Sequence, residues 1–115
     1  MATIVCANSV GDIRTVAGFG PNLIVAEPTE LIGTGVASGM DYVRETIRVV
    51  RDINPSIMML QGAGISGPGD VARVIRAGAE ATGCTSAVMK AADSEGAAEL
   101  MLRALRQAWD EVHGL

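Results

Sequence analysis

Short, uninterrupted apolar runs alternate along this chain with segments whose apolar residues recur at helical spacing, and Gly, Pro, Asn or Asp marks most of the transitions. Runs of the first kind occupy residues 3–7, 23–26, 57–60 and 81–84. Their lack of polar alternation predicts strands of a parallel sheet covered on both faces. The first is ended by Asn8, after which Ile13, Val16 and Ala17 trace a short helix up to Gly18 and the Gly20-Pro21 break. Val43, Ile47 and Val50 recur at i, i+4 and i+7, while Arg44, Arg48 and Arg51 follow another face that reads as solvated surface. Asn54-Pro55 stops that helix. Val71, Val74 and Ile75 form the stripe of the next, with Asp70 at its positive end and Gly78 as its stop. In the last helix Ser94 is the expected cap, and Ala97, Leu100, Met101, Ala104, Leu105, Ala108, Trp109 and Val112 share one apolar face. The order β-α-β-α-β-α-β-α selects an α/β fold, a parallel sheet with right-handed crossovers, here in a single domain spanning residues 1–115.

Composition narrows what fills and surrounds that sheet. Hydrophobic residues make up 49% of the chain but aromatics only 3%. Aliphatic side chains and methionines, among them Met58, Met59, Met89 and Met101, are therefore expected to fill the core. A chain of 115 residues can bury roughly two-thirds of its unfolded surface. The net charge of −4 argues against nucleic-acid and anionic-membrane partners, so any phosphate must be held locally. Cys6 and Cys84 sit in strand-like runs, Cys6 as a small core residue, and neither a disulfide framework nor a metal cluster is indicated. No cofactor is implied. A reducing cytoplasm is the expected setting, since the first residues lack a signal-like core and no apolar stretch is long enough to span a bilayer.

The candidate chemistry lies where the second strand ends. The run 23–26 delivers a carboxylate, Glu27, and Pro28 then blocks further strand pairing before a loop reaching Gly33 and Gly35. Sheets of this class place ligands at the carboxyl ends of their strands. The third strand leads into the glycine-rich turn Gln61-Gly62-Ala63-Gly64-Ile65-Ser66-Gly67-Pro68-Gly69. Taken alone, these features have plainer readings. Glu27 could be a cap or a surface ion pair, Glu30 a solvated loop acid, Asn8 a turn residue, and the glycines could merely permit a tight turn.

The block from Glu27 through Pro28 to Ile32-Gly33-Thr34-Gly35 resembles the triosephosphate isomerase family, in its shorter archaeal-type form. The likeness covers the family's C-terminal half. The strand ending at Asn8 looks like the family's fifth, the Glu27 strand its sixth, the Gly62-Ala63-Gly64-Ile65-Ser66 turn follows its seventh, and Thr85-Ser86 follows its eighth. The resemblance implies that Glu27 is a base moving a proton between adjacent carbons of a triose phosphate beneath a closing loop. It implies a phosphate cradle of Gly33, Ala63, Gly64, Thr85 and Ser86, built from backbone amides and a hydroxyl. Lys90, the only lysine, matches a surface lysine of the family. A second Pro common in the family is replaced here by Thr29.

A complete (β/α)8 barrel takes about 250 residues. The family's electrophilic lysine and histidine come from strands that these 115 residues do not contain. His113 lies at the end of the last helix and replaces neither. The expected fold is thus a (βα)4 half of a TIM barrel, with weak or no isomerase activity alone, because stabilising enolate charge is usually the larger catalytic term. Its bare sheet face and two strand edges call for a partner. A second copy, pairing first strand with fourth about a two-fold axis, would close eight strands. A homodimer, or a higher homo-oligomer, that binds a phosphate-bearing small molecule is the expectation. The alternatives are a non-catalytic binding or structural half-barrel, and a flavodoxin-like rewinding with helices on both faces.

Overall fold

The computed structural model describes residues 1–29 and 39–115; residues 30–38, which include Glu30 and the expected closing loop with Gly33 and Gly35, lie outside those described. The strands are β1 (Ile4–Ala7), β2 (Leu23–Ala26), β3 (Met58–Gln61) and β4 (Ala81–Thr82). Between and after them run α1 (Val10–Ala17), α2 (Met40–Ile53), α3 (Pro68–Arg76), the one-turn α4 (Ser86–Met89) and α5 (Ser94–His113). The sheet is parallel throughout and its order is β1-β2-β3-β4. Sequential order with right-handed crossovers places the helices on one face and leaves strand edges at β1 and β4. A flavodoxin-like rewinding would have reversed strand order midway, and is excluded.

Register and pleat sort the side chains by face. Ile4, Leu23 and Met58 are aligned across the sheet, as are Cys6, Val25 and Leu60. The intervening positions Ile24, Ala26, Met59 and Gln61 are buried under the helices with Ile13, Val43, Val50, Val74 and Ile75. Gln61 is the polar member of this layer. Its Nε2 donates to Thr46 Oγ1 at 3.0 Å, tying β3 to α2, and the Thr46 hydroxyl faces the Tyr42 and Val43 carbonyls at 2.9 and 3.0 Å.

The opposite face is open, and this corrects several sequence expectations. Cys6 is exposed rather than a core residue, Met58 is 46% exposed and Met89 73% exposed. Met59 and Met101 do enter the core. Strand alternation decides the split: nothing among the described residues packs over the face carrying Ile4, Cys6 and Met58. On α5, Met101 and Ala108 are buried while Leu100 and Val112 are exposed, so the apolar face is only partly covered. Continuous apolarity in these strands therefore does not report cover on both faces.

Local chemistry sets the helix ends. Ser9 caps α1 by accepting from the Asp12 N–H at 3.0 Å. The cap of α5 is Asp93, which accepts from the Gly96 N–H at 3.0 Å, and not Ser94, which is the first helical residue. The α3 helix stops before Gly78, whose φ of +109° is accessible chiefly to glycine. Arg48 is a solvated helix-surface residue, pairing with Glu45 and Asp52, but Arg51 is not. Its guanidinium is half-buried, donates to the Ile57 carbonyl at 2.8 Å and pairs with Glu80, whose other oxygen accepts from the Met59 N–H at 2.8 Å. That network fastens the amino ends of β3 and β4 to α2. Among the described residues no helix is long and apolar enough to cross a membrane.

Candidate functional site

At the carboxyl ends of β2, β3 and β4, the turns after the strands surround one cavity of about 490 Å³. Glu27 enters it from β2. The Glu27 N–H donates to the Ala7 carbonyl at 3.1 Å, and the Gly62 N–H donates to the Ala26 carbonyl at 3.4 Å, extending the sheet just beyond its regular strands. Pro28 is buried directly behind the acid. The Glu27 carboxylate is half-buried and makes no hydrogen bond or ion pair among the described residues. Among the described residues it serves neither as a cap nor in an ion pair.

The turn after β3 gives that carboxylate its room. A Cβ placed on Gly62 would lie 3.6 Å from Glu27 Oε1 and 3.4 Å from a Leu60 methyl, in ordinary contact with both, so the position has room for a methyl and not for a branched side chain. Gly64 has φ +74°, a conformation that an L-residue adopts at a cost of about 1 kcal/mol. Ile65 is buried, and Ser66 donates from its N–H and its hydroxyl to Asp70 Oδ2 at 3.0 and 2.8 Å. This clasps the turn to the first turn of α3. Asp70 also holds Arg73 at 2.8 Å.

The third wall comes from the turn after β4 and from α4. Gly83, Cys84, Thr85, Ser86 and Ala87 line the cavity, and Lys90, just past α4, completes that wall. Of the residues read from the sequence, the fold gathers Glu27, Gly64, Thr85 and Ser86 around one space. Ala63, expected in the cradle, is 1% exposed and is not among the described residues that line the cavity, and Gly33 lies outside the described residues. Gly62 and Ser66 also line the cavity, as does Lys90, which the resemblance placed beyond the cradle as a surface lysine. The available signal for Lys90 was its being the chain's sole lysine, one short helix away from Thr85-Ser86.

Glu27 also borders a second recess, of about 400 Å³, shared with Cys6, Asn8, Asp12 and Thr29. Here Tyr42 donates its hydroxyl to the Asn8 carbonyl, and the Asn8 amide donates to Thr29 Oγ1 at 3.4 Å. Asn8 is therefore more than a turn residue: it links the end of β1 to the chain leaving Glu27. Among the described residues no group of three or more His, Cys, Asp or Glu side chains could hold a metal ion.

A sequential parallel (βα)4 sheet, with helices on one face and an acid among glycine turns at its carboxyl end, is half of a β/α barrel. The chain is similar to archaeal triosephosphate isomerases, at 38% identity over 106 residues with that of Methanocaldococcus jannaschii, covering 90% of this chain and 48% of the relative. It is 34% identical over 105 residues to the enzyme of Methanothermus fervidus, covering 89% and 47%. With that of Archaeoglobus fulgidus the identity is 31% over 102 residues, covering 86% and 46%. The chain thus spans about half the length of the curated relatives it matches. No family model matches it. Among solved structures, the BexX/CysO complex of Amycolatopsis orientalis superposes with a TM-score of 0.81 at 18% identity, over 99% of this chain and 45% of that one. The (S)-3-O-geranylgeranylglyceryl phosphate synthase of Thermoplasma acidophilum, solved with its substrate sn-glycerol-1-phosphate, gives 0.67 at 19% identity over 85% and 37%. These two establish likeness of fold alone.

Proposed function

We propose that this chain carries the base and the phosphate grip of a triosephosphate isomerase-type site, without the electrophiles that would complete it. The observation supporting this most directly is the convergence of Glu27, a carboxylate with no partner among the described residues, with the Gly62–Ser66 and Gly83–Ala87 turns on one cavity at the strands' carboxyl ends. In this reading Glu27 removes a proton from the carbon next to a carbonyl. Gly64, Thr85 and Ser86 take the phosphate of a triose phosphate, with Gly33 contributing its backbone amide and the buried Ala63 fixing the turn between Gly62 and Gly64. The lysine and histidine that polarise the carbonyl in the family have no counterpart in these residues, so the chain alone turns over weakly or not at all.

The proposed assembly is a homodimer. Both edge strands end an all-parallel sheet, Ile4, Cys6 and Met58 are exposed on its open face, and an apolar groove of about 230 Å³ runs beside β4 between Val71, Val88, Met101 and Leu105. A second copy that pairs its β1 with this β4, and the reverse, covers all of these surfaces at once and closes eight strands. The second reading, a self-associating binder of phosphate metabolites without turnover, is favoured by the lack, among the described residues, of a counterpart to the family's lysine and histidine beside Glu27.

A coupled isomerase assay separates them. The chain is assayed alone and after addition of a separately produced N-terminal half of an archaeal triosephosphate isomerase, with Glu27→Gln as the control against contaminating host enzyme. Turnover that appears on complementation and disappears in Glu27→Gln supports the enzyme reading. Calorimetric binding of glycerol phosphate with no turnover in either mixture supports the binder, and absence of both overturns the phosphate-site reading.

A further inference from the structure

The described lining of the cavity beside Glu27 carries one negative and one positive side chain. Among its described lining residues Glu27 is the sole carboxylate and Lys90 the sole cation, and the two form no ion pair. Lys90 is exposed and its side chain makes no hydrogen bond or ion pair among the described residues. Most of the arginines, by contrast, are engaged: Arg48, Arg51, Arg73, Arg76, Arg103 and Arg106 all pair with carboxylates. The backbone at Lys90 is fixed, since its N–H donates to the Ser86 carbonyl at 2.9 Å, so the lysine is held one helical turn from the Thr85 and Ser86 hydroxyls on the same wall.

We propose that Lys90 is the charged member of the phosphate site, placing its ammonium against the ligand's phosphate dianion at the β4 side of the cavity. This rests on reading the cavity as a phosphate site, and extends it from neutral amides and hydroxyls to a charge-assisted contact. The physical ground is complementarity within one space. A phosphate monoester brings about two negative charges into a chain of net charge −4, and the cavity already contains the Glu27 carboxylate. Amide and hydroxyl donors orient phosphate oxygens but do not cancel that charge, whereas an ammonium does. With the cation on the β4 wall and the acid on the β2 wall, a ligand is oriented with its phosphate toward Lys90 and its exchangeable C–H toward Glu27.

Calorimetric titration with inorganic phosphate and with glycerol phosphate tests the assignment on the full chain, comparing wild type with Lys90→Gln, Lys90→Arg and, as a charge-matched control, Arg44→Gln on α2. The expected result is an affinity loss of about tenfold or more in Lys90→Gln. Lys90→Arg should recover most of it, Arg44→Gln should bind as wild type does, and the thermal midpoints of all four should agree. Added salt should weaken wild-type binding more than it weakens residual binding to Lys90→Gln. Wild-type binding that survives unchanged in Lys90→Gln overturns the role of Lys90 and leaves the phosphate site standing. An equal loss in Arg44→Gln also overturns it, as an effect of net charge. No binding by wild type overturns both the site and the lysine's part in it.

Discussion

Gly62 sits in a turn whose sequence advertises flexibility, yet its contribution is space. A Cβ there falls in ordinary contact distance of Glu27 Oε1, so Gly62→Ala should be tolerated, whereas the extra methyls of Gly62→Val meet the carboxylate. In the complemented assembly, Gly62→Val is expected to lower isomerase turnover about a hundredfold, the cost of displacing a reacting group by about an ångström. Its denaturation midpoint should stay close to wild type. Turnover equal to that of Gly62→Ala would show that the carboxylate is not held against this turn. At this scale the sequence was legible where a residue's chemistry is intrinsic: a strand-ending acid, a Pro after it, a Gly forced to positive φ. It was silent where meaning comes from a neighbour distant in sequence, as with Lys90 on the cavity wall opposite Glu27, or Gly62 beneath it.

The elements are held in place by polar ties as well as by packing. Arg51 links α2 to the amino ends of β3 and β4 through the Ile57 carbonyl and Glu80. Arg51→Ala leaves the half-buried Glu80 without its cation, and is expected to destabilise the fold by about 2 kcal/mol in urea unfolding. A loss confined to a few tenths would mean that the Met59 N–H alone satisfies Glu80. Between α3 and α5, Glu111 is held below the usual carboxylate range, first by its hydrogen bond from Arg76 and then by that from Gln107. A lowered folded value gives stability that is present above the unfolded carboxylate pKa and is lost as pH falls through the folded one. The thermal midpoint should therefore fall on acidification through that window by more in wild type than in Glu111→Gln, and parallel curves would remove the effect. The arginine row of α2 shows why periodicity could not separate Arg48 from Arg51: both lie off the apolar stripe, and only the strand ends packed against α2 make one of them structural.

For the whole molecule, the unequal faces of the sheet carry the largest consequence. Ile4 and Met58 lie in one register line across the open face, with Leu23 between them. A charge there is harmless to a solvated monomer but costly inside a closed barrel. Light scattering should give a dimeric mass for wild type and a monomeric mass for Met58→Glu, with helical circular dichroism retained in both. The exposed thiol of Cys6 on the same face should react slowly with a thiol reagent in the dimer and quickly in Met58→Glu. A monomeric, dispersed and stable wild type at micromolar concentration would end the barrel-closing proposal.

The sequence by itself determined the alternation of strands and helices, the parallel sheet with its half-barrel likeness, and the placement of Glu27 at a strand's carboxyl end. Hydrophobic periodicity, turn residues and proline act over a few neighbouring positions and are written locally. Only the tertiary structure decided which apolar strand positions are covered, since Met58 and Met59 are alike in sequence and opposite in exposure. It also decided that Arg51 is structural, that Asp93 rather than Ser94 caps α5, and that Lys90 shares a cavity with Glu27. Each of these depends on which surfaces the crossovers bring together, a property of the packed chain that no local pattern encodes.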